Sequence, residues 1–395
     1  MSEQSPINYK DFSLVGNGLL FKFLVSMRLL RPDREPLYLR AIFLALLTWL
    51  PLFIFSAMHG LAWGSNVKIP FSHDITVSVR LLLALPLLII AERAMGLRSN
   101  EVVRHFAESG VVADKDVPKY EALVRQIVSM VNSVAVVYVI VPLAIVTSIF
   151  LRLEFSEPSS TWQFLVSPSG MTRTAAGWWH LVISIPIFQF LLWRWLYRYL
   201  VWCWFLWRVS RLDLRLTASH PDLAGGLGFL GVFQVTFCSV IFALASVISA
   251  HVGQEILFGG ASLKQYTMMI LGNILLMLII FLGPYLVFSM KLFETMRRGF
   301  LTYSTLATDY TRSFDRKWID GEAPEGESLL GSTDIQSLAD LANSFAIVRN
   351  MRLAPFDLKL TIIPIVACAV IPFLPLALTV FPLEEIVKKI FGILL

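Results

Sequence analysis

The sequence predicts an all-α protein, a polytopic transmembrane helical bundle of about seven spans with a small helical hairpin outside the bilayer. Three observations lead there. Hydrophobic residues make up 56% of the 395 positions and charged residues only 15%, with a mean hydropathy of +0.69. A water-soluble domain cannot hide that much apolar surface. The apolar residues gather into runs of about 20, the length a helix needs to cross a hydrocarbon core roughly 30 Å thick. Lys and Arg also alternate between abundance and scarcity from one connection to the next, the pattern of the positive-inside rule.

Taken in order, residues 1–38 form an arm. Its apolar stretch from Leu19 to Leu30 is short and carries Lys22 and Arg28. It reads as an amphipathic helix in the interface, where cations reach the headgroups, and not as a cleavable signal. The run Arg31-Pro32-Asp33-Arg34-Glu35-Pro36 breaks it. The bundle, 39–290, holds spans predicted at 39–58, 75–97, 127–151, 178–200, 227–250 and 266–290. A cytoplasmic piece at 98–126 separates spans two and three. Ser99-Asn100 suits one helix start there, and Asp116 with Pro118 suits a second that runs on into span three.

The segment 291–359 reads as a cytoplasmic helical hairpin. Span six continues outward, and Phe293, Met296, Phe300, Tyr303, Ala307, Tyr310 and Phe314 recur at alternating spacings of three and four. The Gly- and Pro-rich acidic stretch from Gly321 to Glu327 is a connector. A second helix after Ser332-Thr333-Asp334 lines up Leu338, Leu341, Phe345 and Val348. The two faces bury each other, or the aromatic seam docks a second subunit. The last span, about 360–381, contains Pro364, Pro372, Pro375 and Pro382. Such a span is broken and belongs inside the protein, where its freed carbonyls find partners. A short amphipathic helix from Leu383 to Leu395 ends the chain on the outer surface.

All but seven of the 33 Lys and Arg residues fall on one side of this topology. That places the N-terminus inside and the C-terminus outside, and it accounts for the net charge of +5 without nucleic-acid binding. Short loops and the absence of a targeting peptide suit a bacterial inner membrane. Cys203, Cys238 and Cys368 show no paired spacing, so disulfides are not expected.

Two features carry candidate chemistry. Span four opens with Trp178-Trp179-His180 and continues with Trp193-Arg194-Trp195-Leu196-Tyr197-Arg198. At 1.5 Å per residue Arg194 lies about 24 Å and Arg198 about 30 Å from Trp178, near the inner headgroups. They read as snorkelling arginines in an aromatic belt, as a cationic vestibule that selects anions, or as a site for anionic lipid. The second feature is the turn His220-Pro221-Asp222-Leu223-Ala224-Gly225-Gly226-Leu227-Gly228 at the inner mouth of span five. Gly226 to Gly231 spells G-x-G-x-x-G, but a Trp-rich membrane helix precedes it where a dinucleotide site needs a strand. Asp222 can cap span five, with the glycines allowing close helix approach. Alternatively, free N–H groups beside His220 can hold an anion.

The candidate solute-binding set is therefore Arg194, Arg198, His220, Asp222, Gly225 and Gly226. Polar residues inside spans (Asn132, Gln189, Gln234, Asn273, and Arg80 close to Asp74) read as interhelical hydrogen bonders. The six histidines are scattered, so no metal and no cofactor is expected. Only His220 and Asp222 stand behind a lipid-acting enzyme, too few convergent groups for one.

H-P-D-x-A-G-G-L-G-F-L at 220–230, with S-L-A-D-L-A-N-S-F at 337–345, resembles uncharacterised multi-pass proteins of bacterial inner membranes. The resemblance spans most of the chain and implies kinship of fold and location, with no function attached. The sequence is read as a pathway for a small, anion-leaning solute. The alternative is a scaffold or sensor that recruits a partner through the hairpin. The bilayer, anionic lipids and a second copy are the expected partners.

Overall fold

The computed structural model describes residues 37–64, 67–154, 161–167, 170–324, 326–329 and 331–379. The arm helix at 19–30 and the tail helix at 383–395 lie outside them. Nine helices and one β-hairpin make up the described part: α1 Leu37–Met58, α2 Ile75–Glu108, α3 Val117–Val131, α4 Val134–Glu154, β1 Phe164–Ser167, β2 Gly170–Arg173, α5 Ala175–Val209, α6 Phe229–Phe258, α7 Leu263–Ile319, α8 Thr333–Arg349 and α9 Leu358–Ala377. Six of them are long and apolar enough to cross a membrane, and the bent pair α3–α4 brings the count to seven if the two are one span. The bundle is all-α, and the chain is an integral membrane protein.

α5 is the hub. It packs on α2, α3, α4 and the irregular turn within α7, while α6 lies between α2 and α9. The large residues Trp202, Phe205, Phe233, Phe237 and Phe288 close the centre with almost no exposure. α7 sits at the edge, with only 17% of its apolar window buried. Its Leu271, Leu275 and Ile279 point outward, as expected where lipid is the solvent.

Proline accounts for several of the irregular turns within the spans. Pro86, Pro186 and Pro364 each follow a π-turn, at Val79–Ala84, His180–Ser184 and Leu358–Ile362. Without an N–H, proline cannot close the i→i−4 bond, and the ladder slips by one residue. The carbonyl four residues before an internal proline also loses its donor. Pro51 frees that of Leu47, which accepts from Trp179 Nε1 at 3.3 Å. Pro284 frees that of Ile280, which accepts from the Tyr199 hydroxyl, and Gln234 Nε2 donates to Phe281 O at 2.5 Å. The aromatic side chains of α5 are thus the partners that a broken helix needs inside a bilayer.

This corrects the aromatic-belt reading for part of α5. Trp195 and Trp202 are buried and donate to Leu88 O (3.0 Å) and to the Tyr285 hydroxyl (3.1 Å). Trp178 and Trp207 do stay exposed.

Four further expectations change. Ser99 starts no helix: α2 runs through it to Glu108, and its hydroxyl donates to Gly96 O. α3 begins at Val117 behind Asp116, as read, but it does not continue into span three. The chain bends by 45° at Asn132–Ser133. The connection before α5 carries a β-hairpin that the sequence analysis did not anticipate, with Phe164 paired to Arg173 and Ser167 to Gly170. α9 is broken by a 3₁₀ turn at Ile371–Phe373, yet it is not wholly interior. Ile365 and Ala369 are buried against the bundle while Ile363, Ile371 and Leu374 face outward.

On the basic side α7 projects beyond its apolar section and α8 packs back along it. Phe300 and Phe345 meet at 5.4 Å, and Asp334 accepts from Lys317 Nζ (2.9 Å) and Trp318 Nε1 (3.0 Å).

Candidate functional site

The predicted site residues fall into two groups, and no hydrogen bond or ion pair joins them among the described residues. The first lies inside the bundle. Arg194 and Arg198, one turn apart on α5, are 9% and 4% exposed. Both converge on Glu92 of α2, itself 5% exposed. Arg194 Nη2 hydrogen-bonds Glu92 Oε1, and Arg198 Nη1 lies 3.2 Å from the same oxygen. Glu92 is 17 residues into α2 and Arg194 is 19 into α5. At 1.5 Å per residue both stand about 26–28 Å from the far ends of their helices. The three charges therefore share one level, toward the basic side of the bilayer. Sequence reasoning placed the arginines and missed Glu92.

The electrostatics of this cluster do not balance. Two guanidinium groups carry ten N–H donors between them, and one carboxylate meets them through a single oxygen. Among the described residues Arg194 Nε and Arg198 Nη1 are buried with no hydrogen-bond acceptor, Arg198 Nη1 being close enough to pair with Glu92 yet poorly aligned to donate. The ring faces of Phe190 and Trp195 lie 5.9 and 6.0 Å from the two guanidinium carbons. They supply a cation–π contribution at the outer limit of its range. Arg40 of α1 adds further positive charge toward Arg194. The arrangement is a desolvated cationic pair with one tethered counter-anion and unused donors.

The second group is the turn 220–228. Asp222 Oδ1 accepts from the N–H of Ala224 (2.8 Å) and of Gly226 (3.1 Å), and Oδ2 accepts from that of Gly228 (2.8 Å). His220 Nδ1 stands 2.8 Å from Oδ1. Partial burial works against ionisation here, but the three backbone donors and His220 outweigh it and hold the Asp222 carboxyl below its ordinary range. The N–H groups that could have gripped an external anion are thus filled by the chain's own carboxylate.

Gly225 and Gly226 adopt φ of +64° and +94°, which the turn requires. A Cβ at Gly225 would sit 3.1 Å from Met351 Cε. Leu223 also takes a left-handed conformation (φ +55°), where its carbonyl accepts from Arg352 N at 2.7 Å.

This turn anchors the last span. The Arg352 side chain donates to Asp222 O and pairs with Asp357, and Asp357 accepts from the N–H groups of Lys359 (2.8 Å) and Leu360 (3.0 Å) at the start of α9. Gly231 lets α6 press on the same segment. A Cβ there would lie 2.8 Å from Thr361 Oγ1 and 2.9 Å from Pro355 O. Positive φ thus accounts for Gly225 and Gly226, and close packing for Gly228 and Gly231.

No family model, no curated protein and no solved structure matches this chain. The site is read from its geometry alone. Among the described residues no three His, Cys, Asp or Glu side chains come close enough to hold a metal ion. A cleft of about 310 Å³ lies farther out on α2 than Glu92, bordered by Arg98, Glu101, Arg104, His105 and Phe229. Its charges are mixed, and neither Arg194 nor Arg198 borders it.

Proposed function

We propose that the protein binds a small anionic solute within its membrane bundle and gives it a path across the bilayer, with Arg194 and Arg198 as the binding groups. The supporting observation is the charge mismatch at Glu92. On lenient insertion scales an arginine costs about 2.5–3.5 kcal/mol at a helix centre and less toward the headgroups, but Arg194 and Arg198 are buried in the bundle, surrounded by protein and not by headgroups. Two such residues on one turn, sharing one carboxylate and keeping buried donors unused, are poorly explained as structural elements. They are well explained as a site that takes up an anion. On this reading the turn of His220, Asp222, Gly225 and Gly226 fixes the last span at the mouth and does not itself touch solute. The Lys- and Arg-rich side is cytoplasmic, and a bacterial inner membrane is the setting.

The test is ion flux through purified protein in liposomes, comparing nitrate and chloride gradients with a potassium gradient. Wild type should pass anions in preference to potassium. Arg198→Lys, which keeps the charge and loses the planar fork, should cut anion flux severalfold while the protein stays folded. An absence of flux from folded protein over a range of voltage and pH refutes the proposal.

A scaffold role has one observation in its favour: Leu301 and Leu306 on the projecting part of α7 remain exposed beside α8. Deletion of residues 319–331 with retained folding, and capture of one stoichiometric partner through the hairpin, would favour that reading.

A further inference from the structure

Resting on the anion-site reading above, we propose that Glu92 is a tethered competitor for the site. A monovalent oxyanion displaces its carboxylate from Arg194 and Arg198, and the displaced carboxylate takes up one proton from water.

The first argument is occupancy. Glu92 Oε1 already sits where a solute oxygen would sit, on both guanidinium groups at once. It satisfies them poorly, because Arg194 Nε and Arg198 Nη1 are buried and donate to no acceptor among the described residues. An anion with three oxygens can meet both planar forks together, which a single carboxylate oxygen cannot.

The second argument is charge. The two arginines and Glu92 carry a net charge of one positive. If an anion entered and Glu92 stayed ionised, the cluster would be neutral overall, but two anions would lie side by side in a desolvated site and compete for the same donors, a repulsion that protonating Glu92 removes. With Glu92 protonated the cluster keeps its original net charge. In this step the anion accepts the N–H bonds that Glu92 releases, and one O–H bond forms on the Glu92 carboxyl. No electron changes hands.

The third argument is freedom to move. Glu92 and the arginines sit on two different helices, and each helix has a π-turn and a proline about two to three turns before the cluster: Val79–Ala84 with Pro86 on α2, and His180–Ser184 with Pro186 on α5. Such π-turns inside helices recur at functional sites.

The surrounding charges are few. Among the described residues, on the elements packed against α2, they are Arg194 and Arg198 of α5, with His180 and Arg208 toward its two ends, Arg40 of α1, and Lys119, Glu121 and Arg125 of α3. α6 carries only His251 and Glu255, both at its opposite end. Arg93 and Arg98 are the nearest charges along α2 itself.

The experiment uses the full chain in phosphatidylcholine nanodiscs, in weakly buffered solution with a pH-sensitive dye. Sodium nitrate is titrated in, with sodium chloride for comparison. The proposal expects uptake of one proton per protein as nitrate saturates. It also expects an apparent nitrate affinity about tenfold weaker for each unit of pH rise, and weaker binding of chloride, which cannot bridge two forks. Glu92→Gln should bind nitrate more tightly, independently of pH, with no proton uptake.

Nitrate binding without proton uptake and with constant affinity overturns this inference and leaves the anion site standing. Failure of nitrate, chloride and added phosphatidylglycerol to bind at all overturns both. Proton uptake that follows phosphatidylglycerol content and ignores nitrate upholds the displacement, identifies a lipid headgroup as the oxyanion, and removes the permeation reading. If Glu92→Gln does not fold, the proton count on wild type decides alone.

Discussion

Removing Glu92 alone and removing the whole charged cluster should have opposite effects on stability. Arg198 Nη1 stands 3.2 Å from Glu92 Oε1. At an effective dielectric of about 20 that attraction is about 5 kcal/mol, and Arg194 adds a second pair. These gross terms are offset by the cost of taking three ionised groups out of water. Glu92→Ala keeps that cost for both arginines and deletes the compensation, so it should destabilise the fold by about 3–5 kcal/mol. The triple variant Glu92→Leu/Arg194→Met/Arg198→Met deletes cost and compensation together. It should match wild type or exceed it by about 1–4 kcal/mol, while losing anion binding. Unfolding in mixed micelles of rising SDS fraction measures both, with fluorescence of the buried Trp195 and Trp202 as the reporter. A triple variant as unstable as Glu92→Ala would show that the charges stabilise the bundle on balance. The argument that they are retained for a ligand would then lose its premise.

Other outcomes follow from the basic-side anchor and the bundle. Asp222→Ala leaves three backbone N–H groups without their carboxylate and should cost about 2–3 kcal/mol, seen as faster hydrogen exchange at 223–231 and 352–361. Asp222 and Asp357 are both held below the ordinary carboxylate range, Asp357 chiefly by the backbone N–H of Leu360. Their stabilisation is therefore present above the unfolded carboxyl value of about 3.9 and is lost as pH falls through the lower folded values. Protection in this anchor, measured against the exchange rate of an unstructured peptide at the same pH, should stay constant from pH 8 to 5 and fall only below about pH 4. Gly231→Ala drives a Cβ into the backbone of Pro355 and Phe356 and should cost about 1–3 kcal/mol in the same SDS titration. Cys238 and Cys368 lie within side-chain hydrogen-bond reach, so mild oxidation of membranes should cross-link α6 to α9 in a Cys203→Ala background and not in Cys238→Ala.

Much of this fold was legible because the bilayer imposes simple rules. Span length and apolar runs located the starts of the long apolar helices to within about three residues, except span three, read from 127 and found to begin at Val134. The elements that escaped are those whose signal is local and weak. The bend at Asn132–Ser133 has no proline to announce it. The β-hairpin at 164–173 is four residues a side, too short for a clear alternation of polar and apolar positions. The meeting of Cys238 with Cys368 is a tertiary fact with no trace in sequence spacing. The roles of Trp179 and Tyr199 were within reach, since each answers a carbonyl freed by a proline. Knowing that Pro51 needs a donor does not reveal which helix supplies it, because that depends on how the helices are arranged around α5.

Glu92 shows why the site itself was harder to read than the fold. In the sequence it stands beside Arg93 near the end of an apolar run, where a carboxylate ordinarily marks the emergence of a helix into water. Three-dimensional packing reverses that reading. α2 continues four turns beyond Glu92 to Glu108, and Arg93 turns outward while Glu92 turns toward α5. Counting rise along each helix would have raised the suspicion, because Glu92 and Arg194 come out at the same depth from the same face of the bilayer. An ionised group inside a span is by default a functional candidate whose partner should be sought at equal depth. Applied to every charged residue in the spans, that rule selects Glu92, Arg194 and Arg198 together and leaves Arg80 near the opposite face beside Asp74. The arginines then cease to be snorkelling residues and become half of a pairing. The question shifts from which anion they attract to what must happen to Glu92 when one arrives.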